Sequence, residues 1–447
     1  HYEYKCCHRH LIRRNNHKSM VADRSGKSSG NSSDNNASAP RSVLSAFGIR
    51  SFRFQWSADA MNTWGSEMET LILGWYILVA TDSPFLVGLL AALRFSGTIT
   101  APLIGVIADR TNRKQMLIFL RIGTGLSSMV LLILAVTGLI QPWHVFIVAG
   151  FSGLLRPADN VLRQSLIADT VPRRLLMNAS GFARTTQDSA RIVGALLGAT
   201  LLSRLGLGWA LTAVSLFYAF SVFFGLGIRS VPSTLHINKR MNPLTDMKQG
   251  AKYIMNSSAL QPIMFLAFLV NATAFPFTNG LLPVVARDVY GHDENGLAVM
   301  VATFAAGALV GSLLMAAVVK FSHPERFMML AMVVWHVLLI LFAQTQSNTW
   351  GLPALALIGA SVSFCMITMS VVLLTFTKFE MRGRVMGVRM LAVYALPMGM
   401  VIGGWLIEQY GVTVTITGYA VVGLLAIALS LFKWPELITG FSIAERE

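Results

Sequence analysis

The sequence predicts an all-α membrane protein: twelve transmembrane helices in two six-helix, pseudo-symmetric bundles. Three observations lead there. Only 13% of the 447 residues are charged while 54% are hydrophobic, and the mean hydropathy is +0.58. Soluble domains carry about 25% charged residues, and so few charges cannot cover a water-exposed surface. Ile122–Leu155, Leu205–Ile228, Ala259–Ala286, Gly296–Val319 and Phe327–Thr377 contain no Asp, Glu, Lys or Arg. A spanning helix needs about 20 apolar residues. The third observation is an internal repeat. Gly194, Gly198 and Gly206 recur as Gly399, Gly403 and Gly411, each after the same interval.

Residues 1–41 are polar and rich in Ser, Asn and Arg, a composition of disorder without an apolar signal-peptide core. The first Met is Met20, so residues 1–19 are expected to precede the true start. Residues 1–52 are read as a tail leading into the first span. The twelve spans are placed at 57–80, 84–108, 115–139, 143–166, 178–203, 207–228, 260–285, 296–319, 326–346, 351–376, 385–408 and 412–433. Gln141-Pro142-Trp143-His144 and Asn348 through Pro353 supply the turns inside two long apolar runs. In the connection 229–258, Leu244, Met247, Ala251 and Ile254 recur at helical spacing apart from Asp246, Lys248 and Lys252, which predicts an amphipathic surface helix. It divides a bundle over 53–228 from one over 259–433, and 434–447 form a terminal tail.

The formal net charge is +15, which would suit a nucleic-acid binder with its cations on one face. Here Arg110, Arg113, Lys114, Arg173, Arg174, Arg229, Lys239, Arg240, Lys320, Lys378, Arg382 and Arg384 recur in alternate loops. That is the positive-inside pattern. It excludes a nucleic-acid partner and puts both termini in the cytoplasm. Cys6, Cys7 and Cys365 make no disulfide framework, and the Cys6–His10 run is a poor match to known metal-ligand spacings. No phosphate-binding glycine loop is present, and no span pairs a nucleophile with a base, so an enzyme is not expected.

Charges inside spans are costly and mark pathways or relays. Arg94 lies in span two, with Glu67 and Glu69 in span one. The two carboxylates are about 200° apart on a helix and cannot point the same way. One is expected to pair with Arg94, leaving the other to carry a proton. Structural pairing of both is the competing reading. Arg184, Asp188 and Arg191 share one face of span five, and span four carries Arg156, Asp159 and Arg163. These six are read as a clamp or gate near the cytoplasmic side. His336 is central in span nine, where a packed role is expected.

Gly105, Asp109, Arg110, Arg113 and Lys114 match the loop signature G-x-x-x-D-R-x-x-R-[RK] between spans two and three. The chain thereby resembles the major facilitator superfamily over roughly residues 50–433. Thr81–Pro84, Leu90–Phe95, Arg156-Pro157-Ala158 and Leu281–Gly291 make it most similar to the secretion-effector, or enterobactin-exporter-like, branch. The second-half copy, Gly311 to Lys320, lacks the Asp, and span five lacks the Pro of the antiporter signature. The resemblance implies a central cavity lined by spans one, four, seven and ten, with Asn62, Trp64, Phe151, Asn271, Phe275, Asn279, Ser363 and Thr368 as its expected walls. Spans three and twelve, nearly bare of polar groups, are expected to face lipid.

A mixed polar and aromatic wall suits an amphipathic organic molecule. The resemblance therefore implies proton-coupled efflux of a small amphipathic compound by alternating access, without a cofactor. It further implies a monomer in a bacterial plasma membrane. Facilitated uptake, a lysophospholipid-type flippase and a non-transporting scaffold or receptor are the alternatives.

Overall fold

Span one is one long helix, Arg50–Thr81, stopped where Asp82 takes a left-handed conformation at φ 51°. Ser83 then caps the next helix, Pro84–Leu93, by accepting the amide N–H of Leu86 at 3.2 Å. The computed structural model describes residues 43–97, 112–172, 175–229, 243–317 and 323–439, and every regular element among them is helical. The first half continues with Arg113–Val136, Pro142–Thr170, Leu176–Leu205 and Leu207–Leu226. Gln141 and Pro142 start the fourth of these six helices, as the turn residues require.

Pro243–Met255 is the expected amphipathic connector. Span seven follows in pieces, Leu260–Thr273, Phe275–Asn279 and Leu282–Asp288, with Pro276 and Pro283 at the starts of the later pieces. A proline lacks the N–H that would continue the helix. Glu294–Ala317, Pro324–Gln344 and Asn348–Thr375 are unbroken. Span eleven, expected as one helix, is Arg382–Ala392 and Ala395–Tyr410 with a short break between them. Val412–Lys433 closes the twelve.

Among the described residues eight stretches are apolar and long enough to cross a bilayer, with the two pieces of span eleven counted together as Arg382–Tyr410. Spans one and five have the length, at 32 and 30 residues, but carry the charges that serve the interior. Phe119, Val136, Phe223, Leu429 and Phe432 stand outward on spans three, six and twelve, where lipid would cover them.

The repeat has a packing counterpart. Gly206 and Gly411 both join two helices at positive φ, 83° and 80°. Gly194 brings span five against Glu67 and Met68 of span one, and Gly399 brings span eleven against Ala272 and Pro276 of span seven. The halves meet where span two packs on span eleven and span five on span eight. A Cβ on Gly88 would stand 2.3 Å from the Met400 carbonyl, so that crossing needs a bare backbone.

Candidate functional site

A cavity of about 360 Å³ lies between the halves. The first half contributes Glu67, Thr70, Arg94, Arg156 and Arg191, and the second contributes Asn271, Phe275, Thr278, Asn279 and Arg389. Val87, Leu90, Phe304, Met366 and Met369 make the rest of the wall largely apolar. A second, polar cavity of about 250 Å³ adjoins it within the first half. It shares Glu67, Arg94, Arg156 and Arg191 and adds Asn62, Glu69, Asp159, Arg163, Arg184, Asp188 and Tyr218.

The arginine pairing differs from the expected one. Arg94 donates to the Ser66 carbonyl at 3.3 Å and to its hydroxyl at 3.4 Å. Glu67 instead faces Arg156, at 3.8 Å. Glu69 is buried, accepts the Tyr218 hydroxyl at 2.9 Å through one oxygen and has its other oxygen unpartnered among the described residues. Arg94 acts on Glu69 through space rather than by contact. The rotation between Glu67 and Glu69 sends them to different neighbours, and Ser66 lies between them on the helix.

The clamp takes another form as well. Arg184 and Asp188 pair with each other at 3.3 Å, one turn apart on span five. Asp159 turns to Arg121, whose Nε lies 3.0 Å away, while Arg121 Nη2 meets Asp59 at 2.5 Å and Nη1 donates to Ser221 at 3.2 Å. Arg163 donates to Asn160 at 2.9 Å and to Thr63 at 3.4 Å, and its carbonyl receives the Gln55 amide at 2.9 Å. Arg121 is 1% exposed, so span three is not the bare lipid-facing helix expected: one of its faces carries the central cation of a buried network. A single Arg inside an apolar span was the available signal.

Several expected wall residues lie elsewhere. Phe151 is 43% exposed on the outer face of span four and packs beside Gly123. Trp64 sits edge-on to Phe217 of span six, with centroids 6.1 Å apart. Ser363 donates to the Ala308 carbonyl at 2.7 Å, and Thr368 bonds back into its own helix. Met366 and Met369 turn inward from span ten instead. Asn62, Asn271, Phe275 and Asn279 do line the two cavities. His336 is packed, with Thr273 at 2.9 Å and the Met332 carbonyl at 2.8 Å.

Gly105, Asp109 and Arg110 of the loop motif lie outside the described residues. Its last two members tie the start of span three to its neighbours. Arg113 meets Asp169 of span four at 2.8 Å, and Lys114 donates to the Leu226 carbonyl of span six at 2.9 Å.

At the opposite end of span four's bundle the halves are latched. Arg287 pairs with Asp82 at 2.7 Å, Glu408 accepts from Ser83 and, at 3.1 Å, from the Phe85 amide, and Ser203 donates to Asn295 at 3.2 Å.

The Major Facilitator Superfamily model matches residues 56–399. Macrolide efflux protein A of Streptococcus pyogenes is 21% identical over 365 residues, covering 80% of this chain and 89% of that protein. The protein of the same name from Enterococcus faecalis is 23% identical over 219 residues, or 48% and 67% of the two chains. Among solved structures, the nucleoside transporter NupG superposes with a TM-score of 0.70 at 13% identity, covering 88% of this chain and all of that one. A bacterial homologue of the human lysosomal transporter Spinster gives 0.69 at 13% identity, with 89% and 98% covered.

Proposed function

The chain belongs to the Major Facilitator Superfamily, and from that premise we propose that it exports a small amphipathic organic compound across a bacterial plasma membrane by proton-coupled alternating access. One observation carries the reading: a half-apolar cavity between two related bundles, with two carboxylates set among arginines inside the membrane-spanning region. Intramembrane charges are retained where they do work, since apolar replacements would be cheaper. Relatives named for macrolide efflux support export over uptake, as do the stretches similar to the secretion-effector branch. The recurrence of loop cations supports a cytoplasmic position for both termini.

In this reading the end latched by Arg287, Asp82 and Glu408 faces outward and is closed. Glu67 and Glu69 are the proton carriers. Protonating Glu67 would release Arg156 into the cavity, and protonating Glu69 would remove the charge opposite Arg94. Either change alters the charge balance on which closure of one end and opening of the other depends.

The test is efflux from proteoliposomes, using compounds first found by thermal stabilisation of the purified protein. Flux that follows an imposed pH gradient, and loses that dependence in Glu67→Gln or Glu69→Gln, is the expected result. Flux indifferent to pH in the parent would reduce the protein to a facilitator or flippase. No flux of any stabilising compound would favour a scaffold or receptor.

A further inference from the structure

The charges around the central cavity do not cancel. Arg121 and Arg163 together balance Asp59 and Asp159, Arg184 pairs with Asp188, and Arg156 with Glu67. Arg94 has Glu69 nearby as its through-space counter-charge. Two guanidiniums on the cavity wall are left over, one from each half. Among the described residues, Arg191 of span five meets no carboxylate within ion-pair distance. Arg389 of span eleven has the Ser370 hydroxyl at 2.8 Å and no carboxylate. Arg94 and Arg191 are close enough to Arg156 to repel it. A cation cluster in a low-dielectric site, without its counter-charges, is a site for an anion.

We propose that the transported compound is an organic anion, an apolar body carrying a carboxylate, sulfonate or phosphate, whose acidic group is held between Arg191 and Arg389. The body lies against Leu90, Phe275, Phe304, Met366 and Met369, the apolar part of the same wall. The cavity volume of about 360 Å³ falls in the lower range for small-molecule sites. Guanidiniums recognise such oxyanions by paired N–H donors. Because the two arginines come from different halves, an anion between them bridges the bundles by charge-assisted bonds, a contact that a neutral acceptor makes only weakly. An anion leaving an inside-negative cell also runs down the membrane potential, so proton coupling need supply only the remainder.

This inference rests on the cavity being the transport site, and binding is therefore measured apart from flux. The probes are one aromatic body with three end groups: 1-naphthaleneacetate, its neutral amide and 1-naphthylmethylamine. Calorimetric titration of the purified full chain is expected to show the acid binding at least about tenfold tighter than the amide, with the amine weakest. Arg191→Gln and Arg389→Gln should each erase that preference, and Arg191→Lys and Arg389→Lys should keep part of it. Two variants in different halves guard against one failing to fold. Lysophosphatidylglycerol added as competitor distinguishes sources. Displacement of the acid points to an anionic lipid headgroup, and no displacement points to a soluble acid; both uphold an anion site. Equal binding of acid and amide, tighter binding of the amine, or an unchanged preference in both Gln variants would overturn the proposal. Arginine-dependent binding of the acid without flux in proteoliposomes would uphold the anion site and overturn the transport reading instead.

Discussion

Replacing Arg121 with Met should be among the most damaging changes this chain can suffer, although no part of Arg121 touches the central cavity. The guanidinium is 1% exposed and bonded to Asp59, Asp159 and Ser221, which belong to spans one, four and six. Met fills much of the volume but leaves Asp59, itself 6% exposed, and Asp159 facing each other without a cation between them. Breaking a buried pair by removing one partner costs about 3–5 kcal/mol in soluble proteins. Two acids are stranded here, so the upper end of that range applies. Neutralising both acids in the same chain, Arg121→Met with Asp59→Asn and Asp159→Asn, should recover most of the loss. The deficit then left is the hydrogen bonds not remade, about 1–2 kcal/mol. Reversible unfolding in detergent micelles, with surface expression as a second readout, measures both. An Arg121→Met protein within about 1 kcal/mol of the parent would refute the reasoning, as would a triple variant no more stable than the single one.

Gly307→Ala should destabilise by about 1–3 kcal/mol, because its Cβ would stand 2.0 Å from the Ala356 carbonyl at the crossing of spans eight and ten. Gly150→Ala, with nothing within 4 Å, is the matched control in the same unfolding assay. Arg287→Gln should loosen the latched end only modestly, since Asp82 is 84% exposed and such pairs are worth under about 1 kcal/mol. Distances between spin labels across that end should show the change, and combining it with Glu408→Gln should enlarge it. Asp293 accepts the Gly296 amide at 2.9 Å at the start of span eight, and that bond holds its carboxyl below the usual value. Its stabilising effect is therefore present above the unfolded pKa and lost as pH falls through the lower folded one. Asp293→Asn should flatten this acid limb of the stability profile while costing no more than about 1 kcal/mol at neutral pH.

Much of the fold was legible because the membrane imposes a length and a polarity on every span. Gln141-Pro142 begins a helix where the turn reading put it, and the connection whose apolar residues recur at helical spacing does hold a helix, Pro243–Met255. Breaks inside spans were harder to see. Pro276 and Pro283 signalled those of span seven, and the break in span eleven falls where Pro397 has no N–H for the Val393 carbonyl one turn back, but a proline inside an apolar run also occurs in unbroken spans such as those holding Pro157 and Pro353. The site was legible as a set of residues and not as a set of pairs. Composition shows that Glu67, Glu69, Arg94 and Arg156 must find partners. It does not show that Glu67 points to span four, because that depends on how the helices are rotated against one another. Arg121 illustrates the same limit. One Arg at the edge of an apolar run could snorkel to the surface or anchor a network, and only Asp59 and Asp159 arriving beside it decide which. Phe151 failed for a simpler reason: a polar-rich span still has a lipid face, and Phe151 lies on it.

The claim of alternating access predicts that the latched end must open in every cycle. Asp82→Cys with Arg287→Cys places a thiol on each half at that end, and a short, reducible bifunctional thiol reagent can then tie them together. With the reconstituted protein and a compound it transports, the account predicts that flux stops on cross-linking and returns when the link is reduced, while either single Cys variant is unaffected by the reagent. Undiminished flux through fully cross-linked protein would contradict it.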